Sequence, residues 1–139
     1  MQCETCVLDP TSHSFKELCK IDNTIYFYSC PGEASKYYDI SGILHHYDIV
    51  LSTMDPSSRW IYVFDCSGFE MKHLLEYEIG IGLAKLFSEK HGFNLDKIYI
   101  INPNWYIYTM VSVVWPFLNS RLRELIVYDN GENYIFQNK

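Results

Sequence analysis

Cys30 is the side chain whose surroundings most invite a covalent mechanism. It ends a β-prone run, TIYFYSC, and five residues, PGEAS, separate it from Lys36. A thiolate under a loop of backbone N–H groups, closed by an arginine, is an arrangement suited to attack on phosphate esters. Two residues speak against that chemistry here. Lysine cannot make the planar two-pronged contact to phosphate oxygens that arginine makes, and Pro31 removes a backbone N–H from the loop. The plainer reading of Cys30 is a buried thiol at a strand end.

Other reactive side chains fare no better. Asp65, followed by Ser67 and Gly68, is placed to form a turn or cap the next helix. His45 and His46 are adjacent, so a helix sends them to different faces and they make no His-x-x-x-His ligand pair. Cys3 and Cys6, with His13 and Cys19, imitate a zinc knuckle at poor spacing and read as incidental reduced thiols. Gly-x-Gly-x-x-Gly, Walker and Gly-x-Ser-x-Gly patterns do not occur. The expectation is therefore a non-enzymatic protein with no catalytic residue, no metal ligand and no cofactor.

The elements that position these groups follow from periodicity. Residues 1–22 are polar, with Pro10 and several Ser/Thr, and predict a loosely ordered lead-in with a short helical turn around Phe15 to Lys20. Residues 23–139 form one domain. Thr24 to Cys30 is a strand ending at Pro31-Gly32. Glu33 to Met54 recurs apolar every three or four residues and predicts a helix that Gly42 divides. Arg59 to Cys66 (RWIYVFDC) is a continuous apolar run, typical of a strand covered on both faces. Glu70 to His91 is the clearest helix, with a stop at Gly92. Gly80 and Gly82 inside it each cost about 1 kcal/mol relative to Ala, and close packing against a strand would compensate. Asp96 to Asn102 is a third strand, Asn104 to Leu118 a helix, and Glu124 to Asp129 a fourth strand. Asn130-Gly131 permits a final hairpin with Tyr134 to Phe136. The alternation predicts an α/β fold with a mostly parallel or mixed sheet of four to five strands and helices packed on it. Ligands of such sheets lie beyond the carboxyl ends of the strands, here near Pro31, Asp65 to Gly68 and Asn102 to Trp105.

Composition bounds the partners. The chain has 139 residues, 48% of them hydrophobic and only 20% charged, enough to bury a core. A formal charge of -6 argues against a phosphate-tracking surface, so nucleic acid is not an expected partner. No secretory leader is legible, and no run reaches the ~20 apolar residues that span a bilayer. A cytoplasmic protein, with membrane contact at most transient, is the expectation.

Two longer stretches, WIYVFDCSGF and LDKIYIINPNWYIYTMVSVVWPFLNSRLRELIVY, together resemble the CRAL-TRIO lipid-binding domain of phosphatidylinositol-transfer and retinaldehyde-binding proteins. The likeness covers roughly Thr24 to Tyr128. It rests on Asp65 and Gly68 before a helix, on Ile100, Ile101, Asn102 and Trp105 around a proline, and on Pro116, Phe117 and Leu118. Departures are informative. Pro103 stands one place before the family's proline, whose position holds Asn104. His91, Gly92, Phe93 and Asn94 replace a Tyr-Pro-Glu-Arg motif, and Glu124 or Leu125 falls where a lysine begins the family's next strand. Inositide selectivity is thus not implied. The sequence resembles a shortened, divergent branch, without the helical N-terminal subdomain and the closing gate helix.

That resemblance gives a use to the helix from Asn104 to Trp115, which carries almost no polar face. In the family it lies on the sheet and lines the lipid cavity. The implied ligand contacts are Trp105, Ile107, Tyr108, Met110, Val111, Val114 and Trp115, joined by Phe64, Leu74 and Ile81. A sixteen-carbon chain offers on the order of 12 kcal/mol gross at about 0.8 kcal/mol per CH2, whereas an empty ~300 Å³ cavity would cost roughly 7 kcal/mol. The pocket must be filled, or collapsed by its own aromatics. Two functions therefore stay open: carriage of a lipid or other apolar small molecule, and a protein-interaction module with a collapsed pocket that binds a small GTPase or regulatory protein. A partner chain closing the cavity, as in a homodimer, is compatible with either.

Overall fold

Period-two alternation gives the central sheet two unlike faces. The computed structural model describes Leu8 and residues 12–129. Its strands are β1 (Phe15–Ile21), β2 (Thr24–Ser29), β3 (Arg59–Asp65), β4 (Leu95–Ile101) and β5 (Ile126–Asp129), lying side by side in that order. The first pair is antiparallel across the two-residue turn Asp22, Asn23, and the other three pairings are parallel. Between them run α1 (Ile40–Ser52), α2 (Met71–Leu75), α3 (Tyr77–Leu86), α4 (Trp105–Val114) and α5 (Ser120–Leu125). This is the expected α/β class with a mixed sheet.

Because the parallel strands succeed one another in one direction, crossovers of one hand carry their helices to one face. The buried side chains agree. Phe27, Trp60, Tyr62, Ile98 and Ile100 of the sheet share a core with Tyr47, Ile79, Leu83, Ile107 and Leu122 of the helices. The opposite face gathers Tyr28, Ile61, Val63 and Ile101 into a second cluster, to which no described helix contributes. Both faces of β3 are buried, as its unbroken apolar run implies.

Four elements depart from the sequence reading. Phe15 to Lys20 forms no helical turn; it belongs to edge strand β1, and Phe15 is buried with its ring 3.8 Å from that of Tyr47. A bulge between Glu17 and Cys19 breaks the alternation that would have revealed the strand. The sheet thus begins before residue 23. Helix α1 starts at Ile40 because Asp39 caps it, accepting from the Gly42 amide at 3.2 Å, so Gly42 marks a beginning and not a division. The long helix from Glu70 breaks at Glu76 and ends in a π turn, Phe87–His91. Finally, the expected fourth strand starts two residues late, at Ile126, because Glu124 and Leu125 end helix α5, which is capped by Asn119, accepting from the Leu122 amide at 2.9 Å. The hairpin expected after Asn130, like Cys3 and Cys6, lies outside the described residues. Among the described residues no helix is long and apolar enough to cross a membrane.

Candidate ligand-binding site

The loops at the carboxyl ends of β2, β3 and β4 come together, but as a sealed joint. A Cβ on Gly32 would stand 2.4 Å from the Ser67 carbonyl oxygen, so only glycine allows these loops to touch. Gly68 takes a φ of 76° and Asn102 a φ of 51°, left-handed conformations that suit glycine and asparagine. Asp65 binds the joint. It accepts from the Tyr28 hydroxyl at 2.6 Å, the Ser67 amide at 2.9 Å and the Asn102 side-chain amide at 3.1 Å. Asp65 therefore forms the turn expected of it and also ties β2 and the end of β4 to β3. The cap of α2 is Glu70, in a reciprocal pair with His73.

Cys30 sits fully buried in this joint, its thiol 3.4 Å from the Ser67 carbonyl oxygen. Burial, with Asp65 and Glu33 nearby, raises its pKa and disfavours the thiolate. His46 is buried against the Phe15 carbonyl oxygen at 2.8 Å, whereas His45 is exposed. His13 meets Asp39 at 2.9 Å. No group of three metal-ligating side chains occurs among the described residues.

A different space opens between the sheet and the helices. Its floor is Tyr62, Phe64, Ile98 and Ile100; its walls are Ile79, Gly80, Leu83 and Ala84 of α3 and Ile107, Met110, Val111 and Val114 of α4. Tyr37, Phe69, Phe87, Leu118 and Ile126 complete a lining that is almost wholly apolar, around a cavity of about 100 Å³. Phe15, Phe27, Tyr47, Trp60, Tyr62 and Phe87 form a network of ring contacts beside α1, and the cavity lies beyond it, over the ends of β3 and β4.

Of the residues expected to touch a ligand, Phe64, Ile107, Met110, Val111 and Val114 line this cavity. Leu74 and Ile81 are half-buried against the core without lining it. Trp105, Tyr108 and Trp115 lie on the solvent side of α4, 59%, 46% and 41% exposed. The helix is apolar all round because one face meets the core and cavity while the other presents a stripe to the outside. Sequence reasoning missed Tyr37, Gly80, Leu83, Ala84 and Ile98, which come from other segments. Gly80 carried a signal: a Cβ there would lie 2.9 Å from Val114 Cγ1 and 3.0 Å from Met110 Sδ, so the glycine sets the closeness of α3 and α4.

The family model described as "CRAL/TRIO domain" matches residues 30–138. No curated protein sequence matches the chain. Among solved structures, the chain is similar to the crystal structure of Sfh5, with a TM-score of 0.62 and 14% identity over 77% of this chain and 44% of that one. At that identity the likeness concerns the fold, and the chain spans less than half the length of that protein. Asn104, which departs from the family's proline, has a role of its own, since it caps α4, accepting from the Ile107 amide at 3.1 Å, and donates to the Phe69 carbonyl oxygen at 3.0 Å. With the sheet order, the sealed carboxyl-end joint and the greasy cavity beneath α4 in place, the family match over most of its length establishes that this chain belongs to the CRAL/TRIO domain family.

Proposed function

We propose that the protein binds or transfers a lipid or other apolar small molecule, without catalysis, in the cavity between the sheet and helices α3 and α4. The observation that carries this reading is a lining almost free of polar atoms in a member of a lipid-binding family. Such a lining does not hold water. Because the space is partly open to solvent, filling its roughly 100 Å³ would recover at most about 2.4 kcal/mol at about 24 cal/mol per Å³. The space is smaller than the roughly 150 Å³ apolar cavity that admits benzene, so a long acyl chain enters only if the α3–α4 seam opens. Native mass spectrometry of gently purified protein, with extraction of bound lipid, is expected to release an apolar molecule. Repeated recovery of no such mass, with no uptake of fluorescent lipid, overturns the reading.

The exposed stripe of Trp105, Tyr108 and Trp115 favours a second reading, a protein-interaction surface on a fold whose pocket has closed. A protein partner lost when Trp105 and Trp115 become glutamine, with ligand uptake absent throughout, would select it.

A further inference from the structure

The apolar cavity has a polar neighbour. Gly32, Ala34, Ser35, Tyr38, Lys72, His73 and Glu76 surround a second hollow of about 200 Å³, and Tyr37 lines both spaces. The partition between them is aromatic: the His73 ring stacks on Phe69, a wall of the apolar cavity, at 5.3 Å, and meets Tyr37 edge-on at 5.0 Å. Tyr37 is half-buried, and its hydroxyl has no hydrogen-bond partner among the described residues. A ring that separates a greasy chamber from a wet one, and carries a hydroxyl left without such a partner, is suited to the junction of a molecule with two unlike ends.

The charges of the outer chamber define the head of that molecule. His73 offers nothing further: its Nδ1 accepts from the Glu70 amide at 2.9 Å, and the Pro31 backbone also hydrogen-bonds the ring. Lys72 and Glu76 remain, one positive and one negative. Neither is ion-paired with the other or with any other described residue. A purely anionic head would meet Glu76 and a purely cationic head Lys72, while an uncharged head would use neither. The tail chamber, at about 100 Å³, must open along the α3–α4 seam to take even one acyl chain, and so has no room for two.

Building on the apolar-cavity reading, we propose that the two chambers form one bipartite site for a single-chain amphiphile with a zwitterionic head. The tail lies between α3 and α4, and the head between Lys72 and Glu76. Tyr37 lies at the junction and turns aside to admit the chain.

Four probes built on eight-carbon chains, used below their micelle concentrations, test this: n-octylphosphocholine, octanoate, octylammonium and 1-octanol. Binding is followed by calorimetry and by NMR shifts of the Ile79, Met110 and Val114 methyls. Octylphosphocholine is expected to bind tightest, with all four probes shifting the same methyls. In the double variant Lys72→Gln, Glu76→Gln its affinity should fall about three- to tenfold, the scale of two exposed charge contacts, while 1-octanol binds unchanged and so reports an intact fold. If 1-octanol binds but octylphosphocholine is no tighter than octanoate or octylammonium, or is unaffected by the double variant, the bipartite site is overturned and the cavity reading stands. If no probe moves the cavity methyls, the tail chamber fails, and the inference fails with it.

Discussion

Asp65 is 1% exposed, and its carboxylate oxygens are divided among Tyr28, the Ser67 amide and Asn102. Asp65→Ala would strip an acceptor from each, and a buried group left without its partner costs about 1–3 kcal/mol. The variant is expected to lose about 3 kcal/mol in urea unfolding, with Asp65→Asn losing less because it keeps an acceptor for Ser67 or Asn102. The turn made by Asp65 is legible in sequence, since Ser67 is two residues away; Tyr28 and Asn102 are too distant in the chain to be inferred. Histidines give a second residue-scale outcome. His46 and His73 are held below the ordinary value of 6.5, chiefly by burial. Around His46 stand the Phe15 carbonyl, His13 and His45. The unfolded chain therefore takes up protons before the folded one, and stability, full above about pH 6.5, is lost as pH falls toward the lowered folded values. Urea midpoints should drop between pH 7 and 5.5, and His46→Gln should flatten that drop.

Helices α3 and α4 meet through Gly80, which explains a glycine that helix propensity alone disfavours. The sequence reading expected a strand against Gly80 and Gly82. The contacts are helical: Val114 and Met110 of α4 face Gly80, and a Cβ on Gly82 would stand 2.6 Å from Leu44 Cδ1 of α1. Gly80→Ala gains about 1 kcal/mol of propensity but pushes Met110 toward the adjoining cavity. Thermal unfolding is expected to stay within about 1 kcal/mol of the parent, while uptake of an apolar probe falls as the thioether occupies its space. Of the helix starts, that of α4 at Asn104 was legible, whereas the sequence reading starts α1 at Glu33 and does not anticipate α5, although Asp39 and Asn119 cap them. The break at Glu76 was not legible, because neither glycine nor proline marks it; nor was the π turn at Phe87–His91, which inserts a residue without a compositional sign.

At the scale of the molecule, β1 is part of the core. Phe15 packs on Tyr47 and also contacts Phe27 and Tyr62. A chain trimmed to residues 23–139, the boundary suggested by composition, would lose that ring and the antiparallel edge. Removal of a buried aromatic alone costs about 3–5 kcal/mol, so the trimmed chain should lack a cooperative thermal transition by circular dichroism, whereas Phe15→Leu in the full chain should keep one at lower temperature. The α/β alternation and most strand centres were determined by the sequence itself, because periodicity and turn residues act over a few neighbouring positions. Tertiary structure alone decided the cavity's size, the outward turn of Trp105, Tyr108 and Trp115, and the junction at Tyr37. These depend on strand order and helix approach, which bring side chains from distant segments within contact; no local pattern records how much space they leave between them.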